Sequence, residues 1–136
     1  MRQGWLGLAV IALWSLIAGC RGGGAGGEMM ERMCQGTVPA TPSYAMHIQP
    51  VFSANCTFSG CHGPNPPSGL QLTSYANLMA GGRSGPAVIP GDAENSLLVK
   101  RIEGRIPPRM PLNRDPLCDF QIQTIRRWID QGAKNN

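Results

Sequence analysis

The chain has 136 residues, enough for one domain of ordinary size, and a net charge of +4. Its basic residues are scattered and not interleaved with aromatics, which argues against nucleic acid as a partner. So mild a basic balance fits ordinary solvated charge, or a surface that steers a negatively charged protein partner.

Residues 1–19 read as a segment apart. Arg2 precedes an uncharged apolar run, Gly4 to Gly19, that is shorter than the ~20 residues a spanning helix needs. A positive start, an apolar stretch and small residues at its end form the pattern of an export signal. The run closes on Ile17-Ala18-Gly19-Cys20, which resembles a bacterial lipobox. That resemblance implies cleavage before Cys20 and lipid on Cys20, hence a membrane tether without a membrane span. An ordinary signal peptide, or an uncleaved anchor with Cys20 incidental, is the alternative.

Residues 20–43 read as a tether. Arg21 to Gly27 is mostly glycine and has little to pack. Met29, Met30, Met33 and Cys34 form either a copper-binding cluster or a short lead-in that docks through Cys34, and Thr37 to Pro42 is extended linker.

The domain is expected over 44–136. Ile48, Val51 and Phe52 fall on one helical face, and Pro50 should confine the regular helix to the residues after it, or kink it. Gly63 to Gly69 is loop, and Leu70 and Leu72 form a short extended pair. Ser74 can cap a helix through Met79, stopped by Gly81-Gly82. Gly81 to Gly85 has neither the strand before it nor the helix after it that a phosphate loop needs. A further helix is expected from about Glu94 to Ile102, with Leu97, Leu98 and Ile102 inward. Gly104 to Pro116 contains four prolines and should be irregular. The clearest helix starts at Asp119, with Ile122, Ile125, Trp128 and Ile129 on one face and Gly132 as its stop. No stretch alternates at period two, so the fold class is mainly α with long loops.

Export would put the five cysteines in an oxidising compartment, where they are paired or bound. With Cys20 assigned to lipid and Cys56 and Cys61 to the motif below, a Cys34–Cys118 disulfide is the economical pairing. Two separate thiols are the alternative.

The chemistry concentrates in Cys56-Thr57-Phe58-Ser59-Gly60-Cys61-His62. C-x-x-C-H is the attachment motif of a c-type haem, whose vinyl groups take the thiols as thioethers while the histidine reaches the iron. Here the spacing is C-x4-C-H. On a regular helix that turns the thiols about 140° apart, so the two added residues must bulge, and Ser59-Gly60 sits where a bulge is needed. His62 is then the proximal ligand. Met110, within Pro107-Pro108-Arg109-Met110-Pro111, is the distal candidate because flanking prolines stiffen its loop. Met79 and His47 are competitors, His47 as a surface residue, and Met110 as a gap-filling core methionine is the bland reading. Two rival chemistries stay open: a Cys56–Cys61 disulfide stapling a haem-free binding or structural module, and a zinc or cuprous copper site from Cys56, Cys61, His62 and Met110.

From Ile48 to Ala133 the chain resembles the small c-type cytochrome domains of bacterial lipoproteins and planctomycete-type multidomain proteins. The shared pieces, in order, are Cys56…Cys61-His62-Gly63, Ser74 to Leu78, Pro90-Gly91-Asp92 with Asn95 to Val99, Arg109-Met110-Pro111, and Ile122 through Ala133. The resemblance implies a small cytochrome c-like helical domain, its long loops wrapped around one covalently attached haem c. Cys56 and Cys61 would be the thioethers, and His62 and Met110 the iron ligands. The first and last helices would cross near Phe52 and Trp128. A carbonyl within Pro64–Pro67 is the expected acceptor for the His62 Nδ1–H. The implied function is single-electron transfer between redox partner proteins in the bacterial cell envelope, on the periplasmic or extracytoplasmic side of a membrane. Neither catalysis nor a small-molecule substrate is expected, since a six-coordinate iron has no open position.

Overall fold

The computed structural model describes residues 34–136. The expected export segment, Cys20 and residues 20–33 of the tether, with Met29, Met30 and Met33, lie outside the described residues.

The first element opens at Ser43, whose hydroxyl accepts from the Met46 N–H at 3.4 Å. A π-helical segment, Tyr44–Ile48, runs directly into α1, Gln49–Asn55. Pro50 falls in the first turn of α1, where its missing N–H breaks no intrahelical bond, so regular helix begins at Gln49. Ile48 and Phe52 are fully buried, with Val51 packed beside them.

The second helix, α2, spans Tyr75–Ala80; Ser74 caps it by accepting from the Asn77 N–H at 3.2 Å, and it ends at Gly81. The third, α3, is Leu97–Ile102 and starts three residues later than its apolar pattern suggests. Residues 92–96 bond among themselves instead. The Asp92 carboxylate accepts from the Asn95 backbone and side-chain amides, and the Ser96 hydroxyl donates to the Asp92 carbonyl at 2.8 Å. Such local bonds offer the backbone an alternative to helix. The fourth, α4, spans Asp119–Asp130 and buries Ile122, Ile125, Trp128 and Ile129. It closes with Gly132 donating to the Ile129 carbonyl at 2.8 Å and Ala133 to that of Trp128 at 2.9 Å, a Schellman end.

Helix makes up 35% of the described residues and there is no strand among them, only an isolated bridge between Gly82 and Gly85. The fold is mainly α, and loops carry most of the described residues.

The core is centred on an aromatic triad. Tyr44 meets Tyr75 edge-on with ring centroids 5.2 Å apart and lies 5.5 Å from Trp128. The polar tips are satisfied: Tyr75 Oη donates to the Ala133 carbonyl and Trp128 Nε1 to that of Lys134. Where Phe52 was expected against Trp128, the ring contact is made by Tyr44. The π-helical segment adds a turn ahead of α1, and α4 packs on that turn as well as on α3.

Residues 34–43 lie along α4. Cys34 is bonded to Cys118 at the start of α4 (Cα–Cα 5.1 Å), Gly36 is pressed against the Phe120 ring, and Arg127 donates to the Val38 and Pro39 carbonyls. Two of the scattered cations are not free surface charge. Arg126 and Arg105 both pair with Glu94 and Glu103, which ties the ends of α3 to α4.

Candidate cofactor site

The Cys/His stretch leaves the helix rather than bulging within it. Helix α1 ends at Asn55, and Cys56 is its C-terminal cap, donating to the Phe52 carbonyl at 2.8 Å. The chain then closes a compact loop, with Cys61 donating to the Phe58 carbonyl and His62 to that of Cys56, each at 3.0 Å. Gly60 sits at φ +77°, a left-handed conformation open to glycine. A side chain at Gly63 would meet the Thr57 carbonyl at 2.8 Å, so glycine there lets the loop close on itself. The helical offset expected for a five-residue separation therefore does not apply, and both cysteines line one cavity.

His62 is half-buried, and its Nδ1 lies 2.9 Å from the Leu70 carbonyl oxygen. A carbonyl only accepts, so Nδ1 carries the proton and Nε2 keeps a free lone pair. The acceptor is Leu70, not the Pro64–Pro67 segment. The returning segment of the loop bonds beside His62, with Leu72 N–H on the His62 carbonyl at 2.9 Å, while Pro64 and Asn65 are exposed.

Met110 reaches the same cavity from the proline-rich loop after α3. Its N–H donates to the Arg101 carbonyl at 3.0 Å, and the Arg101 Nη1 donates to the carbonyls of Pro107 and Pro108. Neither His47 nor Met79 lines the cavity. His47 accepts from the Ser43 N–H at 3.0 Å, and Met79 packs on the core.

The cavity has a volume of about 370 Å³. Its walls are apolar, drawn mainly from Leu70, Leu72, Leu98 and Ile102, and its charged lining residues are Arg101 and Arg114, with no acidic side chain. Leu97, expected inward, is only half-buried and faces this cavity, while Val99 takes the fully buried place. The Arg114 guanidinium stands 4.0 Å over the Phe58 ring, joining the cysteine loop to the loop beyond Met110.

The two thiols differ. Burial pushes the Cys56 thiol up to about 11, with Cys61 adding to the shift and Arg114 opposing it. Cys61 is exposed, and neither cysteine is in a disulfide. Among the described residues no three His, Cys, Asp or Glu side chains converge as one metal ion would require. That weighs against the zinc reading, in which Cys56, Cys61 and His62 share an ion.

Arg101 was not singled out in the sequence, although a signal existed. With Leu98 and Ile102 it makes an i, i+3, i+4 set on one face of α3, and all three line the cavity. The Leu70 carbonyl and Arg114 have no local signature, since long-range chain return brings them there.

A small helical domain that gathers two cysteines, the histidine after the second and a methionine from a proline-rich loop around one apolar cavity has the layout of a cytochrome c-like domain. Residues 59–111 match the family described as planctomycete cytochrome C, a span that includes Cys61, His62 and Met110. Over that span the chain is similar to a planctomycete-type cytochrome c-like domain, and the match supports a domain of that type here. No curated protein and no solved structure matches it.

That family implies haem, and the donor set fits it. An imidazole with its tautomer fixed by a backbone carbonyl, a thioether, two thiols and apolar walls are what such a group takes from a protein.

Proposed function

We propose that this protein is an exported, lipid-anchored, mono-haem c-type cytochrome that carries single electrons between membrane or periplasmic partners and catalyses no reaction of its own. One observation carries the proposal: Cys56, Cys61, His62 and Met110 line the same apolar cavity.

In this reading a bound haem supplies one-electron Fe(III)/Fe(II) chemistry. The chain's residues hold and tune it. Cys56 and Cys61 would be the thioether attachments, and His62 would offer Nε2 because its Nδ1–H is donated to the Leu70 carbonyl. Met110 would supply a second iron ligand, and His/Met ligation would raise the reduction potential relative to two histidines. Leu72, Leu98 and Ile102 exclude water, and Arg101 and Arg114 place positive charge at the cavity lining, which further disfavours the oxidised centre. The loops on either side of the cavity would enclose the group, and exposed Cys61 and Leu112 mark the end at which partners would approach.

The anchor is assigned to Cys20 from the lipobox resemblance. Among the described residues no helix is long and apolar enough to cross a membrane. The Cys34–Cys118 disulfide supports an oxidising compartment. Redox proteins are the partners this reading calls for, with no nucleic acid and no small-molecule substrate.

The test is maturation in a bacterium equipped for cytochrome c assembly. The Soret band should survive acid-acetone extraction, and Met110→Ala should remove the weak sulfur-to-iron band of the oxidised form. Loss of all colour on extraction, with Cys56 and Cys61 recovered as a disulfide, would overturn the proposal in favour of a haem-free module.

A further inference from the structure

The C-terminal turn of a helix leaves carbonyls without intrahelical partners. In α3 those of Lys100 and Arg101 are taken up by the loop that follows. The Lys100 carbonyl accepts from Arg105 at 2.9 Å and Ile106 at 3.3 Å, and the Arg101 carbonyl accepts from Met110 at 3.0 Å. The Arg101 side chain then reaches the same loop a second time. Its Nη1 donates to the carbonyls of Pro107 and Pro108. Prolines have no N–H, so this stretch makes few bonds of its own, and a cation supplies the donors it needs. One residue thus grips the loop both at Met110 and three residues before it, from a rigid helix whose Leu98 and Ile102 form the cavity wall.

We propose that Arg101 is the positioning residue for Met110: its guanidinium fixes Pro107 and Pro108 so that the Met110 thioether stays presented to the cavity. The consequence for an iron rests on the cytochrome reading above; the clamp itself does not. Lysine should replace the function only in part, because its ammonium keeps the charge but sits on a flexible stem without the fixed donor directions of the guanidinium Nη1 that serves both carbonyls.

Amide exchange in the haem-free protein tests the clamp directly. In Arg101→Gln the Met110 N–H should exchange about tenfold faster or more, as loss of a charge-assisted bond implies, while the Ile125 amide in α4 keeps its rate. Arg101→Lys should fall between the two. In haem-loaded protein the sulfur-to-iron band should weaken in the order wild type, Lys, Gln, with the potential falling alongside it. Wild-type exchange at Met110 in Arg101→Gln overturns the proposal whether or not haem is attached. If the wild-type protein proves to hold no haem, the electron-carrier reading fails while the exchange rates still decide the clamp. Should Arg101→Gln not fold, Arg101→Lys is read by the same two measurements, with wild-type exchange and an undiminished band counting against the clamp.

Discussion

Replacing Cys34 and Cys118 together by serine tests how the domain is held closed. The bridge joins residues 84 apart and encloses Cys56, Cys61, His62 and Met110, so it limits the unfolded chain over the whole site. Chain-entropy arithmetic for a loop of that length gives about 4.5 kcal/mol, and removal of a native disulfide from a small secreted domain typically costs about 2–5. The folded state should change little. Residues 34–43 keep other holds on α4, through Arg127 to Val38 and Pro39 and through the Gln131 amide to the Ala40 carbonyl at 2.8 Å. Against a total stability of roughly 5–15 kcal/mol, a loss of about 3 is large and should lower Tm by on the order of 15 °C. Trp128 is the sole tryptophan after residue 14 and is buried against Tyr44 and Tyr75, so its fluorescence follows guanidinium unfolding of the core. The double variant should show a lower midpoint and a steeper m, because the uncrosslinked unfolded chain exposes more surface. A difference below about 1 kcal/mol with m unchanged would refute the loop-closure reasoning.

Two further outcomes are open to simple measurement. In haem-free protein an alkylating reagent at pH 8 should modify Cys61 well before Cys56, since Cys61 is exposed while the buried Cys56, with its pKa near 11, is only about one part in a thousand thiolate; equal rates would mean that the loop does not hold its folded form. Burial raises Tyr44 to about 12 from an ordinary value near 10, so the folded state keeps a proton that the unfolded state loses. Stability present below pH 10 should therefore be lost progressively as pH rises toward 12, and Tyr44→Phe should flatten that slope in melts across the same range.

What could be read from the sequence was what is local. Helix α4 follows from its apolar spacing, its start from the Asp119 region and its end from Gly132, and α2 follows from the Ser74 cap. The start of α3 was misplaced because three polar residues, Asp92, Asn95 and Ser96, bond to one another more readily than they continue a helix. The geometry of the cysteine motif was misjudged for a similar reason. Helical spacing does not govern its residues, because they have left the helix at Cys56. The Tyr44 contact, the Leu70 acceptor and the Arg114–Phe58 stack depend on which loops return beside which, and spacing along the chain carries no record of that.

The candidate site is built almost wholly from loops, and such a site needs its loops restrained from outside. The restraints are visible here, each anchored on a helix. The cysteine loop hangs from the cap of α1 and closes through His62 onto the Cys56 carbonyl. The Leu70–Leu72 return is pinned by the Gln49 side chain of α1, whose amide donates to the Leu72 carbonyl at 3.0 Å, and this fixes the carbonyl two residues earlier that orients His62. The Met110 loop hangs from the end of α3 through Arg101. Helix α3 is in turn tied to α4 by Arg126, which pairs with both Glu94 and Glu103. An apolar occupant of the cavity would stabilise the folded form by mass action, because it has no counterpart in the unfolded chain. The helices supply the order and the loops the ligands, so substitutions that weaken α3 should disturb Met110 before they disturb His62, whose supports lie on α1.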